Sequence, residues 1–212
     1  MTPHLTKSGF TGYFIKENGL LEDDFKEWVL YPEMLFRASD KWWGDRGKRR
    51  SSHEGLDLCF YRDHQGRISH ITAGMKIPVL YEGVIAGVVN DFIGKSIIVK
   101  HHTPDNSKNE FYTMYGHTIP EGELYTGRTV GEGEIIARVA GLHESKAGIL
   151  PHLHISIGFP VSGEISYDTL DWKDIGDNNK MTLIDPIQVI DRYSLTSSNS
   201  GKTTLNYEQN QI

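Results

Sequence analysis

The chain has 212 residues, 22 lysines and arginines against 28 aspartates and glutamates, a net charge of -6 and a single cysteine, Cys59. A length of this order suits one domain that buries roughly two thirds of its unfolded surface. The acidic balance argues against a nucleic-acid footprint or adhesion to an anionic membrane, and one cysteine excludes an intrachain disulfide framework or a multi-cysteine metal site. No apolar run approaches the ~18 residues of a membrane-spanning helix, and Met1 to Phe14 lacks the apolar stretch of a secretory signal. No transmembrane segment and no export signal are therefore expected.

Residues 1–50 read as an N-terminal extension. Within it Leu21, Phe25, Trp28 and Val29 stand at helical spacing with Pro32 behind them, which predicts a short amphipathic helix over 20–30. The run Lys48-Arg49-Arg50 reads as a solvated face, and its place just ahead of His53 leaves substrate steering open. From Gly55 to Gly158, short β-branched and aromatic runs bounded by glycines predict strands at 56–61, 77–89, 95–102, 111–116, 134–140 and 153–158. Many short strands with turn signals between them mean an all-β fold, an antiparallel sheet or sandwich, in a domain spanning 51–193. The acidic and aromatic segment 160–185 reads as an insertion, a loop or short helix ahead of a last element at Pro186 to Ile190. The polar, aperiodic stretch 194–212 predicts a flexible, disordered tail.

Two short patterns carry the chemistry. One is His53-Glu54-Gly55-Leu56-Asp57, and the other, a hundred residues on, is Pro151-His152-Leu153-His154. A catalytic zinc takes three imidazole or carboxylate ligands and keeps one position for water. His53, Asp57 and one histidine of the second pair supply such a set. Neither pattern suffices alone: ten histidines in 212 residues give roughly half an HxH pair by chance. His101 and Asp105 even repeat the four-residue spacing, but there the chain runs off a strand into turn residues, where Asp is common. On a strand beginning at Leu56, Asp57 and Cys59 share one face and Leu58 and Phe60 the other. By the same alternation His152 and His154 share a face opposite Leu153, Ile155 and Ile157, one able to bind a metal and one to stand beside it. Tyr115-Gly116-His117 ends another strand; a lone histidine there is more often structural.

In order, these pieces resemble the lysostaphin-type, LytM-like zinc endopeptidases, which cut peptide cross-links of bacterial peptidoglycan. The resemblance covers residues 44 to 158. It rests on His53-Glu54-Gly55-Leu56-Asp57, Pro78-Val79-Leu80-Tyr81-Glu82-Gly83-Val84-Ile85, Tyr115-Gly116-His117, Val130-Gly131-Glu132-Gly133-Glu134-Ile135-Ile136 and Pro151-His152-Leu153-His154. It implies an antiparallel β-sandwich or barrel-like core of the duplicated hybrid motif type and one catalytic zinc. His53, Asp57 and His154 would be the zinc ligands and His117 and His152 the catalytic residues, with a peptidoglycan peptide as substrate. That substrate would place the protein in the cell envelope or outside the cell. Absent the Glu of an H-E-x-x-H helix, imidazoles are the natural proton carriers, and sequence does not say which of His117 and His152 is the general base. Two rivals remain: a non-catalytic regulatory or binding module of the same fold, and a lipoyl-like or phosphotransfer carrier domain suggested by the strands at 78–89 and 130–139. A carrier has no use for Asp57 beside His53 and would hold no zinc.

Overall fold

The structure, a computed structural model, describes residues 5–103, 110–141, 149–161 and 172–197. The chain opens with helix α1 (Phe10–Glu17) and strand β1 (Glu27–Leu30), then turns through a loop into β2 (Leu56–Leu58), β3 (Phe60–Arg62), β4 (Ile68–His70) and β5 (Lys76–Pro78). The hairpin β6 (Gly83–Asn90) and β7 (Lys95–His102) leads to β8 (Glu110–Pro120), the short β9 (Thr129–Val130) and β10 (Ile135–Val139). Strand β11 (Leu153–Pro160), a four-residue helix α2 (Trp172–Ile175), β12 (Met181–Ile184) and β13 (Tyr193–Leu195) complete the described chain.

The fold is all-β and mainly antiparallel. One sheet runs β13-β1-β3-β4, with β13 parallel to β1, and the larger runs β12-β11-β8-β7-β6-β9, with β2 paired to β11 and β10 joining β8 to β5. The expected strand at 56–61 is two strands in two sheets: β2 pairs with β11, Cys59 breaks the ladder, and β3 pairs with β1 and β4. The chain thus changes sheets immediately after placing Asp57.

The helix lies elsewhere than its expected position at 20–30. Glu22–Asp24 form a single 3-10 turn and Trp28 to Leu30 belong to β1. That strand is buried on both faces, Trp28 and Leu30 in the main core and Val29 against Met34, Cys59 and Phe60, so its apolar residues do not alternate. A strand of this kind reads as a continuous apolar run, which periodicity does not separate from a buried helix. The true helix, α1, buries Phe10 and Phe14 one turn apart, and Phe14 packs on Trp28 with ring centroids 5.1 Å apart. Asn18 follows its last turn, donating to Phe14 O and Lys76 O at 2.9 Å each and tying the helix to β5.

The segment expected as an insertion at 160–185 ends in β12, an edge strand antiparallel to β11. Ser194 and Leu195, expected in the tail, pair with Val29 and Leu30. The rest of the expected tail, from residue 198, lies outside the described residues, as do residues 162–171. Among the described residues no helix is long and apolar enough to cross a membrane.

Candidate metal centre

Strands β2, β11 and β8 lie side by side, and one row across them reads Asp57, His154, Gly116. Directly opposed residues on neighbouring strands point to the same face. Asp57 and His154 therefore meet without any special loop. His53, ahead of β2, reaches the same point because Gly55 lets the chain lie against β11. A Cβ on Gly55 would stand 2.1 Å from Ile155 O and 2.7 Å from His154 Nε2, so only glycine fits between His53 and Asp57.

Three atoms converge there. His53 Nε2 lies 3.1 Å from Asp57 Oδ1 and 3.1 Å from His154 Nδ1, and His154 Nδ1 lies 2.9 Å from Asp57 Oδ1. The remaining atoms of each group are committed elsewhere. His53 Nδ1 donates to Leu35 O at 2.9 Å, which in the neutral ring makes Nε2 the lone-pair nitrogen, and His154 Nε2 meets Ser156 Oγ at 2.9 Å. Asp57 Oδ2 accepts from Trp42 Nε1 at 2.7 Å and from Arg49 Nη2 at 3.4 Å. Burial alone would raise the Asp57 pKa; its interactions with His53 and His154 outweigh that and hold the carboxyl well below the usual range. Burial lowers the His154 pKa, keeping the imidazole neutral. Three lone pairs thus face one point, which suits a cation. Four donors about zinc at ~2.0–2.1 Å are about 3.3 Å apart, so this triangle matches one face of a zinc tetrahedron to within a few tenths of an ångström. The donor set fits a zinc ion.

Above the triangle opens a cavity of about 370 Å³, walled by Trp43, Arg49, Phe92, His117 and His152. His152 precedes β11 and shares the face of His154. Its Nδ1 donates to Leu150 O at 2.8 Å, its Nε2 lies 3.9 Å from Asp57 Oδ1, and burial pushes its pKa down to about 3. The ring stands edge-on to Trp42, with centroids 5.1 Å apart.

His117 reaches the cleft by a different route. Tyr115 is paired with Ile155 and faces the core, where its hydroxyl accepts from Leu80 N at 2.7 Å. Strict alternation would send His117 the same way. Between β7 and β8, however, the register shifts, so that Gly116 and His117 together face Ser96, and His117 takes a φ of 63°. This is a β-bulge with its extra residue in the left-handed region, at a cost of about 1–3 kcal/mol. The bulge turns the imidazole to the cleft, 4.7 Å from the His152 ring and 5.9 Å from that of His154.

All five residues singled out in the sequence therefore line one cleft. Their surroundings were not visible there. Trp42 carries no spacing signal toward Asp57. Arg49 sits in the run read as a solvated face, and Lys48 and Arg50 are indeed exposed, but Arg49 turns inward with only 15% of its side chain accessible. Asp91, in the turn between β6 and β7, binds the His117 backbone N–H at 2.7 Å across 26 residues of sequence. Of the competing pair, His101 is buried with Nδ1 donating to Glu82 O and Nε2 at 2.7 Å from Thr113 Oγ1, whereas Asp105 lies outside the described residues.

No protein-family model matches the sequence, and no curated protein does. Among solved structures the chain is similar to a mutant catalytic domain of the prophage-encoded M23 protein EnpA from Enterococcus faecalis, at 24% identity and a TM-score of 0.37 over 59% of this chain and 81% of that one. It is similar to lysostaphin at 19% identity and a TM-score of 0.37, over 59% of this chain and 43% of that one. It is also similar to a chain of the SpoIIQ–SpoIIIAH pore-forming complex, at 16% identity and a TM-score of 0.43 over 78% of this chain and 92% of that one. Scores at this level assign the chain neither a family nor an activity, and the chemistry rests on the side chains described above.

Proposed function

We propose that this chain is a zinc-dependent endopeptidase that hydrolyses a peptide bond in the stem peptides or cross-bridges of peptidoglycan. The observation that carries the reading is the convergence of His53 Nε2, Asp57 Oδ1 and His154 Nδ1 at the floor of a cleft whose walls hold two more imidazoles. When bound, zinc supplies a Lewis acid for the scissile carbonyl and makes hydroxide available near neutral pH. His53, Asp57 and His154 would hold it, and Trp42 and Arg49 fix the Asp57 carboxylate so that Oδ1 faces inward. His152, neutral and with its ring proton on Nδ1, presents the lone pair of Nε2 to attacking water. His117 stands on the neighbouring wall. Between them the two imidazoles accept the proton of that water and return one to the departing amine.

The substrate class rests on the resemblance of the ordered motifs to those of the lysostaphin-type endopeptidases. It would place the protein at the cell envelope or outside the cell. The test is to incubate zinc-loaded protein with purified peptidoglycan and read the products by mass. We expect one new amino terminus at a stem or cross-bridge bond, absent with His152→Ala and absent with a chelator. Intact peptidoglycan after treatment with zinc-loaded protein would sink the substrate assignment, and failure to take up zinc would sink the mechanism itself.

A further inference from the structure

The turn joining β6 to β7 is built around one carboxylate. The Asp91 side chain is fully buried and makes four hydrogen bonds: Oδ1 accepts from Ile93 N at 2.7 Å and Gly94 N at 2.9 Å, and Oδ2 from Ser96 Oγ at 2.8 Å and His117 N at 2.7 Å. The first two suffice to close a turn of this kind. The other two leave the turn. They grip the β8 bulge, binding its extra residue from one side and, through Ser96, the residue that the bulge faces. The same Oδ2 lies 3.3 Å from His117 Nδ1, a buried nitrogen with no hydrogen bond of good geometry among the described residues. Phe92, next along the turn, lays its ring 4.8 Å from the imidazole while remaining 71% exposed itself. A large apolar side chain held at the surface in this way covers the outer side of His117.

We infer that Asp91 is a positioning residue for His117: its carboxylate holds the bulge that turns the imidazole to the cleft and draws the ring proton to Nδ1, leaving Nε2 to face the reacting groups. An acceptor-only carboxylate beside one ring nitrogen selects the tautomer protonated there. Its value for catalysis rests on the endopeptidase reading above, whereas the tautomer does not.

Asp91→Asn tests the inference sharply, because an amide has only one acceptor oxygen and Asp91 uses both of its own. If that oxygen stays with Ile93 and Gly94, the NH2 group faces His117 Nδ1 and pushes the ring proton to Nε2. The experiment uses the full chain, zinc-loaded, with nitrogen-15-labelled histidine at a pH where the rings are neutral. Ring nitrogen shifts should place the His117 proton on Nδ1 in the wild type and on Nε2 in Asp91→Asn. Zinc stoichiometry should be unchanged, and kcat on soluble cross-linked peptidoglycan fragments should fall by about 10-fold to 100-fold with KM held. A wild-type His117 protonated on Nε2 overturns the inference even if the variant fails to fold. So does a folded Asp91→Asn that keeps the wild-type tautomer and kcat. Wild-type protein with the expected tautomer but no hydrolysis would instead count against the proposed function and leave the positioning role standing.

Discussion

Replacing Gly55 with alanine adds one methyl group where the chain leading into β2 crosses β11. The new carbon would lie 2.1 Å from Ile155 O and 2.7 Å from both His154 Nε2 and Ser156 Oγ. Carbon–oxygen contacts close down to about 3.3 Å, so a backbone oxygen must retreat by roughly 1 Å. That retreat cannot stay local, because Leu56, Asp57 and Leu58 pair with Ile155, His154 and Leu153 along the same short ladder. Overpacking of this sort costs about 1–3 kcal/mol, and here it also moves an imidazole out of the donor triangle. Urea titration should show that loss. A chelator-competition assay on the same sample should show zinc affinity reduced by at least about 10-fold. Zinc at 100 times its Kd adds about 2.7 kcal/mol to a protein that binds it only when folded; the wild type should show this increment and Gly55→Ala much less of it. If Gly55→Ala keeps both wild-type stability and wild-type zinc affinity, the account of the H-x-G-x-D spacing is wrong.

Other outcomes follow from the same geometry. Trp42→Phe keeps an aromatic ring and removes the donor to Asp57 Oδ2, and zinc affinity by calorimetry should fall about 10-fold to 100-fold; unchanged affinity would remove Trp42 from the site. His152→Ala should keep one zinc per chain and lower kcat by at least about 100-fold, whereas loss of the metal would make His152 a ligand. Burial pushes the His101 pKa down to about 4 from an ordinary 6.5. The unfolded chain therefore binds the extra proton first, so this histidine's contribution is complete above pH 6.5 and is lost as pH falls toward 4. By linkage it should cost about 2 kcal/mol between pH 7 and pH 5. The metal-free wild type should show a fall steeper by that amount than metal-free His101→Gln in urea midpoints at the two pH values, and parallel falls would refute the buried neutral assignment.

Much of the architecture was legible because strand-forming residues were locally consistent. The run 153–158 alternates and 95–102 is centred on the β-branched Ile97, Ile98 and Val99, and they fold within β11 and as β7. The donor residues were legible for the same reason: His53 and Asp57 are held close by one glycine, and His152 and His154 share a face by simple alternation. Failures came where one segment serves two surroundings. Trp28 to Leu30 are buried on both faces and mimic a helix, and residues 56–62 change sheets at Cys59. The bulge at His117 depends on Ser96 and Asp91, more than 20 residues away, and no local pattern marks it. Arg49 turns inward only because the loop after β1 folds back over Asp57, accepting its Nη2 at Glu33 O and its Nε at Asp40 O.

The central claim, that His53, Asp57 and His154 form one zinc site, is most directly tested by titrating metal-stripped protein with zinc in a calorimeter. The account predicts one zinc per wild-type chain and no comparable binding to His154→Ala. A wild type that takes up no zinc, or a His154→Ala that binds it as the wild type does, would contradict it.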